Sequence, residues 1–372
     1  EIAPLFPDEY FHIGGDENAG KHWSENKGIT AFKKRQQLKT NHDLQTYFNI
    51  KLEKILLKLN KKLMGWDEIM TPTMPTTAVI HSWRGAQEGL KQSTLIEAAR
   101  KGYQSVLSNG YYIDRMLSVK HHYAVDPIGG AVLTKQERAR ILGGETTMWS
   151  ELATPLTIDS RIWPRTAAIA ERYWSQRSVR DFDNMYKRLN VVSFQLEELG
   201  ITHLRSQNVI LRNITQNQNT NSLEILSAIS EPLKVYSRNK GGTEYQTYSP
   251  FVLFADACNV DAVDALYFAK TVDVHISKPT LETKKKLQYF FQKWMNGYRE
   301  FQQLKSNRKL EKLHQLYTNL NTVSTLFYKG LKDNSELNNN SIKLAIDTLK
   351  MPVEDVEVVI VNSLIKLKNS LK

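Results

Sequence analysis

The run YFHIGGDEN at residues 10–18 carries a short apolar stretch into two glycines and two adjacent carboxylates, Asp16 and Glu17. YFHIGG reads as a β-strand, and the glycines supply the unusual backbone angles and close approach that a strand end needs when it presents functional groups. Working outward, HDLQTYFNIKLEKILLKLN at 42–60 has a helical apolar stripe through Leu44, Phe48, Leu52, Ile55, Leu56 and Leu59. Strand-like KLMGW (62–66) and TAVIHSW (77–83) follow, then helical LIEAARKG (95–102) and strand-like QSVLSN (104–109). A last strand-like run, ILGGETTMW (141–149), leads into helical SRIWPRTAAIAERYW (160–174). Strands alternating with helices imply parallel βαβ units, about five of them up to residue 205.

The residues just beyond each strand-like run decide between the two parallel architectures. They are Asp16 and Glu17, Trp66, Trp83, Tyr112 with Asp114, and Trp149 with Glu151. A doubly wound sheet gathers its strand ends along an edge, whereas a parallel barrel brings them around one rim where active sites lie. Acids and aromatics at successive strand ends favour the rim. The expected fold is therefore an α/β (β/α)8 TIM barrel. Such a barrel has eight β/α units, so the last five are expected here, in an N-terminally truncated barrel whose remaining units lie upstream.

Composition sets the outer bounds. The 372 residues are 41% hydrophobic and 24% charged, ordinary globular material. No apolar run is long enough for a membrane span, and the single Cys258 cannot form an internal disulfide. The net charge of +11 raises a nucleic-acid partner, but the lysines are spread over helical segments without a zinc spacing or RNA-binding signature. They read as a solvated face, and no nucleic acid is expected.

Residues 1–205 thus form the barrel segment. SQNVILRNITQNQNTNS at 206–222 is rich in Asn and Gln and reads as a linker or loop. Residues 223–372 read as a small, mainly α-helical domain. Leu287, Phe290, Phe291, Trp294, Tyr298 and Phe301 share one helical face, and Leu313, Leu316, Tyr317, Leu320, Val323 and Phe327 another. Aromatic stripes at this spacing are core. The Asn-rich patch at 336–341 reads as a loop tip.

Glycoside hydrolysis needs a carboxylic acid for the leaving oxygen and a second group for the cationic centre, usually several ångströms apart on opposite sides of the bond. Neighbours on a strand point in opposite directions, so Asp16 and Glu17 are not a simple acid–nucleophile couple. Two other readings stand beside a hydrolytic one. GGDEN could be a turn with Asp16 or Asn18 capping a helix, and GGDE is the core of a nucleotide cyclase signature that presents acids on a β-hairpin. Here AGKHWSENKG follows as loop rather than a second strand. Trp66, Trp83 and Trp149, each ending a strand-like run, offer flat faces for sugar rings and favour a sugar pocket.

The motifs FHIGGDEN, MGWDEI, HSWRG, GYYID, LGGETTMWSE and DSRIWPRTAAIAERYWS, in this order, resemble the glycoside hydrolase family 20 β-N-acetylhexosaminidases over about residues 5 to 205. The resemblance implies a retaining exo-enzyme that releases terminal β-linked GlcNAc or GalNAc from glycans by substrate-assisted catalysis. Its nucleophile is the substrate's own acetamide oxygen, and it uses neither metal nor organic cofactor. By the same resemblance Glu17 is the general acid/base, Asp16 binds the acetamide N–H, and Tyr112 donates to the acetamide oxygen with support from Asp114. Trp66, Trp83 and Trp149 enclose the sugar, and Glu151 accepts from its hydroxyls. His12 is placed among substrate-binding residues as a strand-end histidine. The family habit implies a periplasmic or secreted protein. Two departures are visible. The family's first barrel strand supplies an arginine for the terminal sugar's hydroxyls, and that strand is not in this chain. Thr146 and Thr147 replace a common Ala-Cys pair. The alternative within the fold is a non-catalytic carbohydrate-binding remnant of the same barrel.

Overall fold

The computed structural model describes residues 1–238, 254–333 and 340–370. Its chain divides into two compact units, Glu1–Tyr112 with Ala124–Thr147 and Glu171–Val179, and Ile113–Tyr123 with Met148–Ala170 and Arg180–Lys372. This differs from the division expected at residue 205, because segments on either side of that residue pack with the later helices.

The first unit is built on five parallel strands, β1 (Tyr10–His12), β2 (Lys62–Trp66), β3 (Val79–Ser82), β4 (Gln104–Leu107) and β5 (Ile141–Gly144), lying side by side in chain order. Each strand pairs with the next, from Tyr10 opposite Lys62 to Leu107 opposite Gly144. The order never reverses among these strands, so there is no switch point of the doubly wound kind. A parallel sheet with helical crossovers in sequential order is an α/β barrel-type arrangement. The β3 strand is buried throughout, as parallel strands covered on both faces are. Leu56, Leu63, Ile69, Met74, Ala78, Ile80, Ala98 and Tyr103 form the hydrophobic cluster around it.

Two connections depart from the expected pattern. The stretch from β2 to β3 contains a 3₁₀ turn, Asp67–Ile69, and no α-helix. Pro72 and Pro75 explain this, since each lacks the N–H that a helix interior needs. The helix Asn41–Lys58 starts at a capping box between Thr40 and Asp43, but its buried face is Gln45, Thr46, Asn49, Glu53 and Leu56. Phe48 and Ile55 of the expected apolar stripe are 56% and 53% exposed, and Leu59 is exposed too. Specific hydrogen bonds account for this polar face: Gln45 donates to the Gly15 carbonyl at 2.8 Å, Thr46 to Thr71 Oγ1 at 3.1 Å, and Glu53 accepts from Thr77 at 2.6 Å.

In the second unit the two aromatic stripes are core. Leu287, Phe291, Trp294 and Phe301 on helix Leu281–Phe301 join Leu313, Leu316, Tyr317, Leu320, Val323 and Phe327 on helix Leu313–Asp333 in one cluster. Phe291 stacks on Phe327 with ring centroids 5.3 Å apart. Gly297 allows close approach, as a Cβ there would lie 2.4 Å from the Tyr317 hydroxyl. A two-stranded antiparallel sheet, β6 (Ser230–Pro232) with β7 (Val356–Val358), accompanies the helices. The stretch at 206–222 is not the linker or loop its composition suggests. Helix Arg205–Thr215 occupies most of its first half and helix Asn221–Ser227 begins at its end, with Ile210, Leu211 and Ile214 buried in the same cluster. Three apolar residues at helical spacing outweigh the Asn and Gln content. Of the loop tip expected at 336–341, residues 336–339 lie outside the described residues, and the last two open the helix Asn340–Leu349. No helix among the described residues is long and apolar enough to cross a membrane.

Candidate active site

In the first unit the parallel strands deliver their C-terminal ends to one edge of the sheet. Beyond β1, Ile13 N–H donates to the Met64 carbonyl at 2.8 Å, and the Gly14 carbonyl accepts from Trp66 N–H at 2.9 Å. Gly14 and Gly15 adopt φ of 74° and 97°, and Glu17 itself has φ 49°. A non-glycine residue in the left-handed region is uncommon, and here it marks the tight loop that follows the glycine pair. A side chain at Gly15 would put its Cβ 2.5 Å from Ile69, so the glycine pair lets the loop fold down onto β2. Asp16 is half-buried and Glu17 exposed. The strand runs parallel to β2 and continues into loop and helix Lys21–Glu25. No hairpin presents the acids, which removes the cyclase reading.

Beyond β2 and β3 stand Trp66, buried, and Trp83, half-buried. Asp67 fastens the two strand ends together. Its Oδ2 accepts from the backbone N–H groups of Trp83 and Arg84 at 3.2 and 3.1 Å and from Thr94 Oγ1 at 2.6 Å. Its Oδ1 lies 2.6 Å from both Nε and Nη2 of Arg84. Glu68 accepts the Trp83 indole N–H at 2.9 Å, fixing the plane of that ring. Burial raises the Glu68 carboxyl above its usual range, with the adjoining Asp67 charge adding to it, while the indole hydrogen bond and Arg84 oppose. Trp66 stacks on His81 with centroids 4.2 Å apart, and His12 meets Trp66 edge-on at 5.0 Å. Tyr112, buried, follows β4 and bridges to Thr147 beyond β5. Thus His12, Asp16, Glu17, Trp66, Trp83 and Tyr112 all lie at C-terminal strand ends of this unit.

Asp114, Trp149 and Glu151 belong to the second unit. Asp114 sits in the 3₁₀ turn Ile113–Arg115. Burial raises its carboxyl to about 6, helped by the Glu151 charge and opposed by Arg115 and by a hydrogen bond from the Trp149 backbone N–H. Those causes also show that the three predicted residues are neighbours. Asp114 Oδ1 is hidden from solvent with no hydrogen-bonding partner among the described residues, which suits an oxygen kept for a ligand. Trp149 is 43% exposed. The chain after Asp114 is held by Asp261, which accepts from Val119 N–H at 2.7 Å and from the Tyr186 hydroxyl at 3.0 Å.

Asp67 and Glu68 repeat the acid pairing of Asp16 and Glu17 after a second strand, and the structure gives Asp67 the bracing of Trp83, Arg84 and Thr94. His81 and Glu145 lie inside the motifs HSWRG and LGGETTMWSE, yet the pattern gives them no role, because their relation to His12 joins residues far apart in the chain. A histidine inside a buried apolar strand, two residues before a tryptophan, is the available signal. No group of three or more His, Cys, Asp or Glu side chains suited to a metal ion occurs among the described residues.

Residues 1–177 match the family described as glycosyl hydrolase family 20, catalytic domain. This part of the chain is similar to the catalytic domain of glycosyl hydrolase family 20. The solved structure of a chitobiase from Flavobacterium johnsoniae covers all of the chain at 48% identity with a TM-score of 0.94, and the chain covers 57% of it. A beta-hexosaminidase of Porphyromonas gingivalis is 34% identical over 230 residues, 55% of this chain and 28% of that relative. The beta subunit of the Mus musculus beta-hexosaminidase is 31% identical over 209 residues, 54% of this chain and 38% of the relative. The chain therefore spans well under half the length of these curated relatives. The family 20 stretch contains all six motifs on which the sequence resemblance rests.

Proposed function

We propose that this chain carries catalytic residues of a retaining exo-β-N-acetylhexosaminidase acting on terminal β-linked GlcNAc or GalNAc of glycans. The five strands are taken as the last five of an eight-stranded barrel, the others being supplied by polypeptide upstream. The observation that carries the reading is the adjacent acid pair at the end of a parallel strand, with Glu17 held at φ 49°. Adjacent carboxylates cannot flank a glycosidic bond, but they suit a reaction in which the substrate provides the nucleophile.

In this mechanism Asp16 accepts the acetamide N–H and orients the carbonyl oxygen toward the anomeric carbon. As that oxygen forms its bond to carbon, Glu17 gives its proton to the departing glycosidic oxygen. The oxazolinium ring carries positive charge, which Asp16 stabilises while the Tyr112 hydroxyl donates to the acetamide oxygen. Glu17, now a carboxylate, takes a proton from water as the water attacks the anomeric carbon and reopens the ring. Two inversions give net retention. Trp66 and Trp83 would wall the sugar. Export to the periplasm or beyond goes with this reading, on the family resemblance.

The test is hydrolysis of an aryl β-GlcNAc by the chain joined to strands that complete the barrel. Glu17→Gln should lower kcat by roughly 10²–10⁴-fold, the usual contribution of a general acid. An unchanged rate sinks the assignment, and binding without turnover in the wild type favours the carbohydrate-binding remnant.

A further inference from the structure

The proton positions on two histidines follow from one backbone group. Gly14 N–H lies 3.1 Å from His12 Nδ1, and a backbone N–H can only donate. His12 Nδ1 is therefore a bare acceptor, and the single proton of the neutral ring sits on Nε2. That Nε2 is 3.3 Å from His81 Nδ1, so it donates there, and His81 in turn carries its own proton on Nε2. This last nitrogen is hidden from solvent and faces Glu145 Oε2 at 3.6 Å. Any other assignment sets two protons or two lone pairs against each other. The electrostatics agree. Desolvation lowers His12, which is itself exposed, against the pull of the Asp16 charge. Burial takes His81 down to about 4, with His12 adding to the effect and Asp67 opposing it, so both rings are neutral at neutral pH.

We infer that His12 and His81 are positioning residues, a one-way hydrogen-bond relay that fixes the start of the Gly14–Glu17 loop and the seat of Trp66, with Glu145 a charged neighbour of His81 rather than a hydrogen-bonded member. Two consecutive glycines at positive φ give this loop little stiffness of its own. It is held from outside, at Gly14 N–H by His12, at the Gly14 carbonyl by Trp66 N–H, and at the Gly15 carbonyl by Gln45. The relay ties the loop's first amide to the end of β3. His81 also carries the Trp66 ring on its face. Only the catalytic consequence rests on the proposed roles of Asp16 and Glu17.

The direct test is nitrogen NMR of the chain labelled at its nine histidines, with His12→Asn and His81→Asn variants to assign the signals. At neutral pH both rings should be neutral with the proton on Nε2. A proton on Nδ1 of either ring, or a charged His81, overturns the relay. A kinetic arm uses the barrel-completed polypeptide on an aryl β-GlcNAc. His81→Leu leaves the His12 N–H without an acceptor and should lower kcat about tenfold or more with KM changed less than about twofold. His81→Asn, whose Oδ1 can replace Nδ1, should recover most of that loss. Equal losses in both variants, or a change confined to KM, contradict the positioning role. Should the wild type hydrolyse no β-GlcNAc, the hexosaminidase reading fails while the tautomers still decide the relay.

Discussion

Asp114 is a carboxyl that the fold holds close to neutrality, and its pH behaviour has a definite sign. Its usual value of 3.8 rises to about 6 through burial. Between those values the folded chain keeps a proton that the unfolded chain releases, so this group makes stability fall as pH rises from about 4 to about 6. Asp114→Asn mimics the protonated form and should gain stability relative to wild type at pH 7 compared with pH 4. Denaturant unfolding at the two pH values measures the difference, and a gain that is the same at both contradicts the assignment. The residues whose positions could be read from sequence were those that end or follow strands with an acid or an aromatic, Asp16, Glu17, Trp66, Trp83 and Tyr112. Trp149, expected to end the fifth strand, instead lies beyond β5, which stops at Gly144. Those that stayed hidden act through partners remote in sequence. His81 pairs with His12 across an intervening strand, and Asp67, whose place after a strand was legible, reaches Trp83, Arg84 and Thr94. No local pattern encodes such pairings.

At the scale of elements, helix Asn41–Lys58 shows where periodicity misleads. The stripe predicts that Phe48 and Ile55 are core, but the sheet takes the polar face through Gln45, Thr46 and Glu53. Phe48→Ser and Ile55→Ser should therefore each change stability by under about 0.5 kcal/mol, as exposed substitutions do. Leu56→Ala on the buried face should cost about 2–5 kcal/mol. Reversal of that order in denaturant melts would restore the stripe as core. By contrast, the helices Leu281–Phe301 and Leu313–Asp333 bury the faces their spacing predicts, because each stripe is continuous and aromatic. Beside this cluster Asp256 Oδ1 sits 2.8 Å from Arg238 and 3.6 Å from Arg161, with all three residues buried. Burial lowers Arg161 only to about 10, so it stays charged at neutral pH. Asp256→Ala would remove the carboxylate that faces both buried guanidinium groups, with Asp355 still 3.7 Å from Arg238, and should cost about 3–5 kcal/mol. A loss under about 1 kcal/mol would show that solvent reaches them.

At the scale of the whole molecule, two compact units carry the motif residues, the acid pair with Trp66, Trp83 and Tyr112 in one and Asp114, Trp149 and Glu151 in the other. Sequence order made the parallel strands legible, because alternation of short apolar runs with helical periodicity is a local signal. The division into units was not legible, since the contacts that pin Val119 to Asp261 and Arg161 to the Cys258 carbonyl join residues far apart in the chain. The proposed chemistry makes one demand that no other reading shares, namely that the substrate's acetamide does the nucleophile's work. The decisive measurement compares hydrolysis of an aryl β-GlcNAc with that of the matching aryl β-glucoside, which has a hydroxyl in place of the acetamide, by the barrel-completed chain. The account predicts turnover of the first and a kcat/KM for the second lower by at least about 10³-fold, well beyond what one lost binding contact produces. Comparable rates on the two substrates would contradict it.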